Sequence, residues 1–277
     1  MKPLQNIFNF YINSSIHVAL AVYALTWITL IEYGFEYDKE LLYFVFFATI
    51  TGYNFIKYFG VAKFHHRSLA KWLKIIQLFS LGCFLLMLYY AFALGVRTII
   101  IIAIFGGITF LYAIPMLPKH ILLDQQQNLR EIGGLKIYVI AFVWAGVTVL
   151  LPILHLETQI TVDVSISIIQ RFLLVLVLML PFEIRDLKYD SLKLATIPQK
   201  IGIKKTKAIG ALVLIIFFNL EFFKDEMQIS FIVSTLILVF FLLLFLIFSN
   251  KNQSKYYSAF WVESLPVFWL MILLLLH

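Results

Sequence analysis

Long apolar runs separated by short polar connections dominate the chain. They occupy positions 13–31, 41–59, 72–94, 98–114, 135–155, 165–182, 207–223, 229–248 and 258–276. A helix needs about 20 apolar residues to cross a bilayer core, and each run meets or approaches that length. The runs are too long for buried strands, and they lack the two-residue alternation of an outer-membrane barrel. The pattern predicts an all-α, polytopic membrane protein with nine transmembrane helices, forming a single domain over 1–277. Asn13, Ser14, Ser15 and His17 interrupt the start of the first run, and no small-residue cleavage site follows it. It is therefore expected to be a span and not a signal peptide.

Composition sharpens this. The chain is 62% hydrophobic and 13% charged, whereas a soluble domain carries about 25% charged residues. A soluble enzyme, a disordered chain, a coiled coil and a nucleic-acid-binding domain are excluded. The net charge of +7 is a matter of topology. All of the 22 basic residues except Lys39, Arg97, Arg171 and Lys224 fall at the N-terminus or in alternate connections: 57–74, 115–136, 183–207 and 249–257. The opposite connections hold Glu32, Glu36, Asp38, Glu40, Glu157, Asp163, Glu221, Asp225 and Glu226. The positive-inside rule then expects a cell or inner membrane protein with its N-terminus cytoplasmic and its C-terminus external. Cys83, the single cysteine, lies inside an apolar run, so no intrachain disulfide can form.

Carboxylates are scarce in the basic connections, and one cluster stands out. Glu183, Asp186 and Asp190 leave the sixth run at i, i+3 and i+7, on one face if the helix continues. Three such groups at a membrane boundary repel one another unless a divalent cation lies between them. Mg2+ suits them, because it takes few protein carboxylates and completes its octahedron with water and substrate phosphate. Arg185, Lys188 and Lys193 stand nearby for phosphate oxygens. The alternative is a solvated, salt-bridged loop start in which Arg185 and Lys188 simply neutralise the acids.

The stretch Glu183-Ile-Arg-Asp186-Leu-Lys-Tyr-Asp190, followed by Thr196-Ile-Pro198-Gln-Lys-Ile-Gly202, resembles the second aspartate-rich motif of UbiA-type intramembrane prenyltransferases. Tyr112-Ala-Ile-Pro115-Met-Leu-Pro118-Lys119 is similar to that family's Y-x-x-P-x-x-x-K segment. The resemblance implies a UbiA-like nine-helix bundle that moves an isoprenyl group from an allylic diphosphate to a membrane-accessible, usually aromatic, acceptor. It implies Mg2+ on Asp186 and Asp190 with Glu183 assisting, Asp186 and Asp190 as the catalytic pair, and Tyr112, Lys119 and Lys188 at the substrate.

The family's first motif, N-D-x-x-D-x-x-x-D, belongs at the end of the second run. There Asn54 matches, but Phe55, Tyr58 and Ala62 occupy the aspartate positions. Arg67 corresponds to the arginine of a following R-P-L segment. Lys57, one turn from Asn54 and beside Tyr58, could place an ammonium where the lost cluster held its metal. The alternative for Lys57 is snorkelling to the headgroups. Glu263 is an acid inside the ninth run, able to accept a proton, bind an acceptor hydroxyl or pair with Arg171. Asn219 and Trp144 either line a cavity or hold helices together. His65-His66 reads as a polar loop. Two other functions stay open: a non-catalytic relative that binds a polyprenyl lipid or scaffolds a partner, and a small transporter using Glu263.

Overall fold

The computed structural model describes residues 2–64, 71–113, 134–188 and 195–277. Among these the chain is helical, and each apolar run coincides with a helix. The first six are α1 (Lys2–Asn13), α2 (Ile16–Glu32), α3 (Lys39–Phe64), α4 (Lys71–Ala91), α5 (Val96–Ala113) and α6 (Lys136–Ala145). A π-helical turn, Gly146–Leu150, carries α6 into α7 (Leu151–His155). Then come α8 (Val162–Asp186), the short α9 (Ile197–Ile201), α10 (Ile203–Asn219), α11 (Ile229–Phe248), a second π-helical turn (Tyr257–Val262) and α12 (Leu265–Leu276). Among the described residues six of these spans are long and apolar enough to cross a membrane, seven if α1 and α2 count as one bent span. That is fewer than the nine expected. α5 is apolar but short, and α3 is diluted by Asn54, Lys57 and several tyrosines.

α2 and α8 form the centre. α2 packs on α3, α12 and the first π-helical turn, while α8 packs on α6, α10 and α11. The sequence of α2 explains its place: Ala19, Ala21 and Ala24 are buried with Val18, Val22, Leu25 and Ile28, so neighbouring backbones approach closely on several sides. Thr29 donates to the Thr148 carbonyl at 2.7 Å, tying α2 to the π-helical turn. Gly146 lies against the Phe105 ring so closely that a Cβ there would overlap it, which fixes α5 beside that turn.

Charge divides the molecule into two ends. At the acidic end Lys224 Nζ contacts Glu32 at 2.6 Å and Glu221 at 2.8 Å, and Gln170 adds a bond to Glu221 at 3.0 Å. Burial opposes the Lys224 charge, but Glu32 and Glu221 outweigh it and raise its pKa above the ordinary lysine value. Arg171 is buried beside this group and donates to the Leu25 carbonyl at 2.8 Å. Asp38 caps α3 by accepting from Leu41 N at 2.9 Å and pairs with His155 Nε2 at 3.0 Å. Another cluster joins Arg185, Lys188, Lys251 and Lys255, so two of the basic connections, 183–207 and 249–257, meet at one end among the described residues.

α1 and α2 meet at 54°. Ser15 makes the break with a left-handed backbone, φ 64°. The Phe8 ring of α1 lies tilted against Tyr256 and edge-to-face with Phe260, centroids 5.2 and 5.1 Å apart, so α1 folds towards the last span at the basic end.

Candidate functional site

Three helices bring polar groups to the basic end. α8 is long because Thr161 caps its start through Val164 N and its apolar stripe runs unbroken past Pro181. It continues to Asp186, so Glu183 and Asp186 lie one turn apart as the spacing predicted. Glu183 is buried at 2% exposure. Asp186 accepts from Arg185 Nε at 2.7 Å, and Arg185 Nη1 donates to Ser258 Oγ on the last span at 2.9 Å. The guanidinium also lies 5.3 Å from the Phe182 ring centroid. Lys188 follows, exposed. Asp190, Arg67 and Lys119 lie outside the described residues, as do Tyr189 and His65-His66.

α3 faces the break between α1 and α2. Lys57 Nζ donates to Ser15 Oγ, and Ser15 in turn donates to Asn54 Oδ1, both at 2.8 Å. The Asn54 amide donates to the Ser14 carbonyl at 2.9 Å and to Ser80 Oγ at 2.8 Å. Tyr58 reaches the Asn13 carbonyl at 2.8 Å. Asn54, Lys57 and Tyr58 are thus brought together, and their first role is to hold the 13–15 turn. Asn54 is buried with its amide committed, whereas Lys57 stays exposed on its other side and bonds one described side chain, that of Ser15.

The last span completes the group. Its π-helical turn ends at Glu263, whose carboxylate lies in the field of Lys57 and Arg185. Tyr53 lies in the fields of Glu263 and Tyr112 and accepts from Trp144 Nε1 at 2.9 Å. His17 Nε2 sits 2.9 Å from the Phe260 carbonyl, which requires the proton on Nε2. Its Nδ1 then accepts from Tyr11 at 2.7 Å. Tyr112 is buried at the end of α5. One end of the apolar bundle thus carries an ammonium, a guanidinium, the carboxylates of Glu183, Asp186 and Glu263 and several aromatic faces. Such a set can grip a phosphorylated headgroup while the spans take an apolar tail.

The chain aligns with a solved structure of a digeranylgeranylglyceryl phosphate synthase studied in membranes, at TM-score 0.56 and 17% identity, over 100% of this chain and 97% of that one. The fold is similar to that of this synthase. No protein-family description and no curated protein matches the sequence.

The carboxylates at the end of α8 have the right chemistry for Mg2+. Glu183 and Asp186 are hard oxygen ligands one turn apart, and Mg2+ is commonly held by one or two protein carboxylates plus substrate phosphate. Among the described residues no group of three His, Cys, Asp or Glu side chains comes together. Glu263 does not pair with Arg171, which is committed to Leu25 and Thr29 near the acidic end. Trp144 joins the site through Tyr53, whereas Asn219 only bonds back to Ile215 within α10. Tyr11, His17, Ser258 and Ser264 belong to this end and were not singled out as site residues. Their signal was faint: isolated polar groups inside apolar runs, in a chain where such groups often just bridge helices.

Proposed function

We propose that the protein is a UbiA-like prenyltransferase, moving an isoprenyl group from an allylic diphosphate to a membrane-accessible acceptor. The observation that carries this reading is the end of α8. A motif resembling the second aspartate motif, with Glu183 and Asp186 one turn apart, carries Arg185, and Arg185 and Lys57 both act on Glu263 of the last span, in a fold similar to that of a digeranylgeranylglyceryl phosphate synthase. Orientation follows from charge: the basic end faces the cytoplasm, where a diphosphate donor is reached from the inner leaflet.

Mg2+ bound at Glu183, Asp186 and Asp190 would supply positive charge to the leaving diphosphate. The chain's own residues do the rest. Lys57 and Arg185 hold phosphate oxygens by charge-assisted hydrogen bonds. Tyr53, Tyr112 and Trp144 present aromatic faces and apolar surroundings that favour an allylic cation and exclude water. As the donor C–O bond breaks and the new bond to the acceptor forms, Glu263 is placed to take the acceptor's proton. A second reading, a relative that binds a polyprenyl lipid without turnover, draws on Asn54 and Tyr58 being committed to the 13–15 turn and on Arg185 already neutralising Asp186.

Purified protein supplied with prenyl diphosphate, Mg2+ and a panel of aromatic and glyceryl-phosphate acceptors should release pyrophosphate, and Asp186→Ala should abolish the release. Retention of the prenyl lipid with no turnover would select the second reading.

A further inference from the structure

Beside Asp186 an open cleft of about 360 Å³ is lined by Arg185, Asp186, Lys188, Lys251, Gln253 and Lys255. Four cations face one carboxylate, a net +3 among the described residues. Two of those cations, Lys251 and Lys255, come from the connection between α11 and the last span, where the motif resemblance assigns nothing.

This connection is built, not loose. Ser249 closes α11 by bonding back to Leu246 at 2.7 Å. Asn250 N donates to Gln253 Oε1 at 3.0 Å, and Asn252 N donates to Asn250 Oδ1 at 2.8 Å. Gln253 Nε2 then donates to the Pro181 carbonyl at 2.8 Å, docking the turn on α8 one helical turn before Arg185. Lys255 is fixed over the Tyr256 ring at 4.7 Å and bonds Asn9 of α1 at 3.1 Å. Two lysines are therefore held beside Arg185 and Lys188 even though like charges repel. Among the described residues Arg185 spends Nε on Asp186 and Nη1 on Ser258. The simple reading of such lysines is headgroup contact at a positive-inside face. It does not explain why they converge on one cleft whose turn a committed glutamine anchors to α8.

We propose that this cleft is a metal-independent binding site for a diphosphate group, with Lys251 and Lys255 supplying positive charge beside Arg185 and Lys188 at the end of α8. A phosphomonoester carries about −1.5 to −2 at neutral pH, and a diphosphate ester by the same ionisations carries roughly one charge more, close to the cleft's excess. The proposal rests on the prenyl-transfer reading for the identity of the donor, though not for the binding itself.

The full chain in phosphatidylcholine nanodiscs, titrated calorimetrically with inorganic pyrophosphate in EDTA at low salt, provides the test. Saturable binding is expected, weakened roughly tenfold or more in Lys251→Gln/Lys255→Gln. Gln253→Ala, which keeps every cation but frees the turn from α8, should weaken it less. Asp186→Asn should leave binding unchanged or tighter, because it removes a negative charge from an anion's site. No metal-free binding, equal binding by the double variant, or loss of binding in Asp186→Asn would each overturn the proposal. Phosphatidylglycerol nanodiscs separate the sources of the phosphate: unchanged affinity supports a diphosphate site distinct from the lipid surface, and collapse of affinity overturns it in favour of headgroup binding. Turnover without metal-free binding removes the lysine site and leaves prenyl transfer standing. Metal-free binding without turnover does the reverse.

Discussion

Lys57 carries the sharpest question at the residue scale, because it has two possible duties. Its bond to Ser15 braces the α1–α2 break, and its charge lies beside Glu263. Two variants separate them. Ser15→Ala removes the brace and keeps the ammonium, whereas Lys57→Gln removes the ammonium. The ammonium reading predicts that Lys57→Gln lowers prenyl-diphosphate affinity roughly tenfold or more and that Ser15→Ala does not. Equal effects in a binding assay would reduce Lys57 to a strut. Asp38 gives a prediction for pH. The His155 hydrogen bond, chiefly, holds its carboxyl below the usual carboxylate value, despite burial pulling the other way. A depressed folded-state pKa means stability that is complete above the unfolded value near 4 and is lost as pH falls through the folded one. Asp38→Asn should therefore lower the melting temperature at pH 7, and the gap to wild type should close as pH drops below about 4.

Elements show what the sequence made legible and what it hid. Glu183 and Asp186 on one helical face could be read directly, because α8 keeps its apolar pattern through Pro181 to the carboxylates. The α1–α2 break could not. Asn13, Ser14 and Ser15 were visible as polar interruptions, but nothing local says that Ser15 adopts a left-handed backbone or that α3 binds it. Leu4, Ile7, Phe8 and Tyr11 do repeat at i, i+3, i+4 and i+7, the pattern of a one-faced helix. That was the available signal for α1, overshadowed by the longer run behind it. The partner of Glu263 was equally hidden, since an all-apolar span does not fix its own rotation. At the acidic end Lys224 joins the α10–α11 connection to α2 through Glu32, with Glu221 beside it. Lys224→Met leaves the buried Glu221 and the partly buried Glu32 without their shared cation and should cost about 3–5 kcal/mol. Thermal unfolding in detergent checks this; a change within 0.5 kcal/mol, about what a surface substitution gives, would show that the pair is not holding the bundle.

For the whole molecule, segregation of charge between two ends is the expectation that patterning supplies and composition alone could not. It makes topology testable. In a Cys83→Ala background, a cysteine at Lys251 should react with an impermeant maleimide only when the cytoplasmic face is open, and one at Glu226 should react in intact cells. The reverse result would invert the orientation and put the candidate site outside the cell.

The prenyl-transfer account depends most on one placement, the donor diphosphate among α3, α8 and the last span. Photolabelling of the purified chain with a diazirine-bearing prenyl diphosphate, followed by peptide mapping, tests that placement. The account predicts labels on Tyr53, Tyr58, Trp144 or the 257–264 turn, suppressed by excess unlabelled prenyl diphosphate. Labels confined to the lipid-facing surfaces of α4 and α11, unaffected by that competitor, would contradict it.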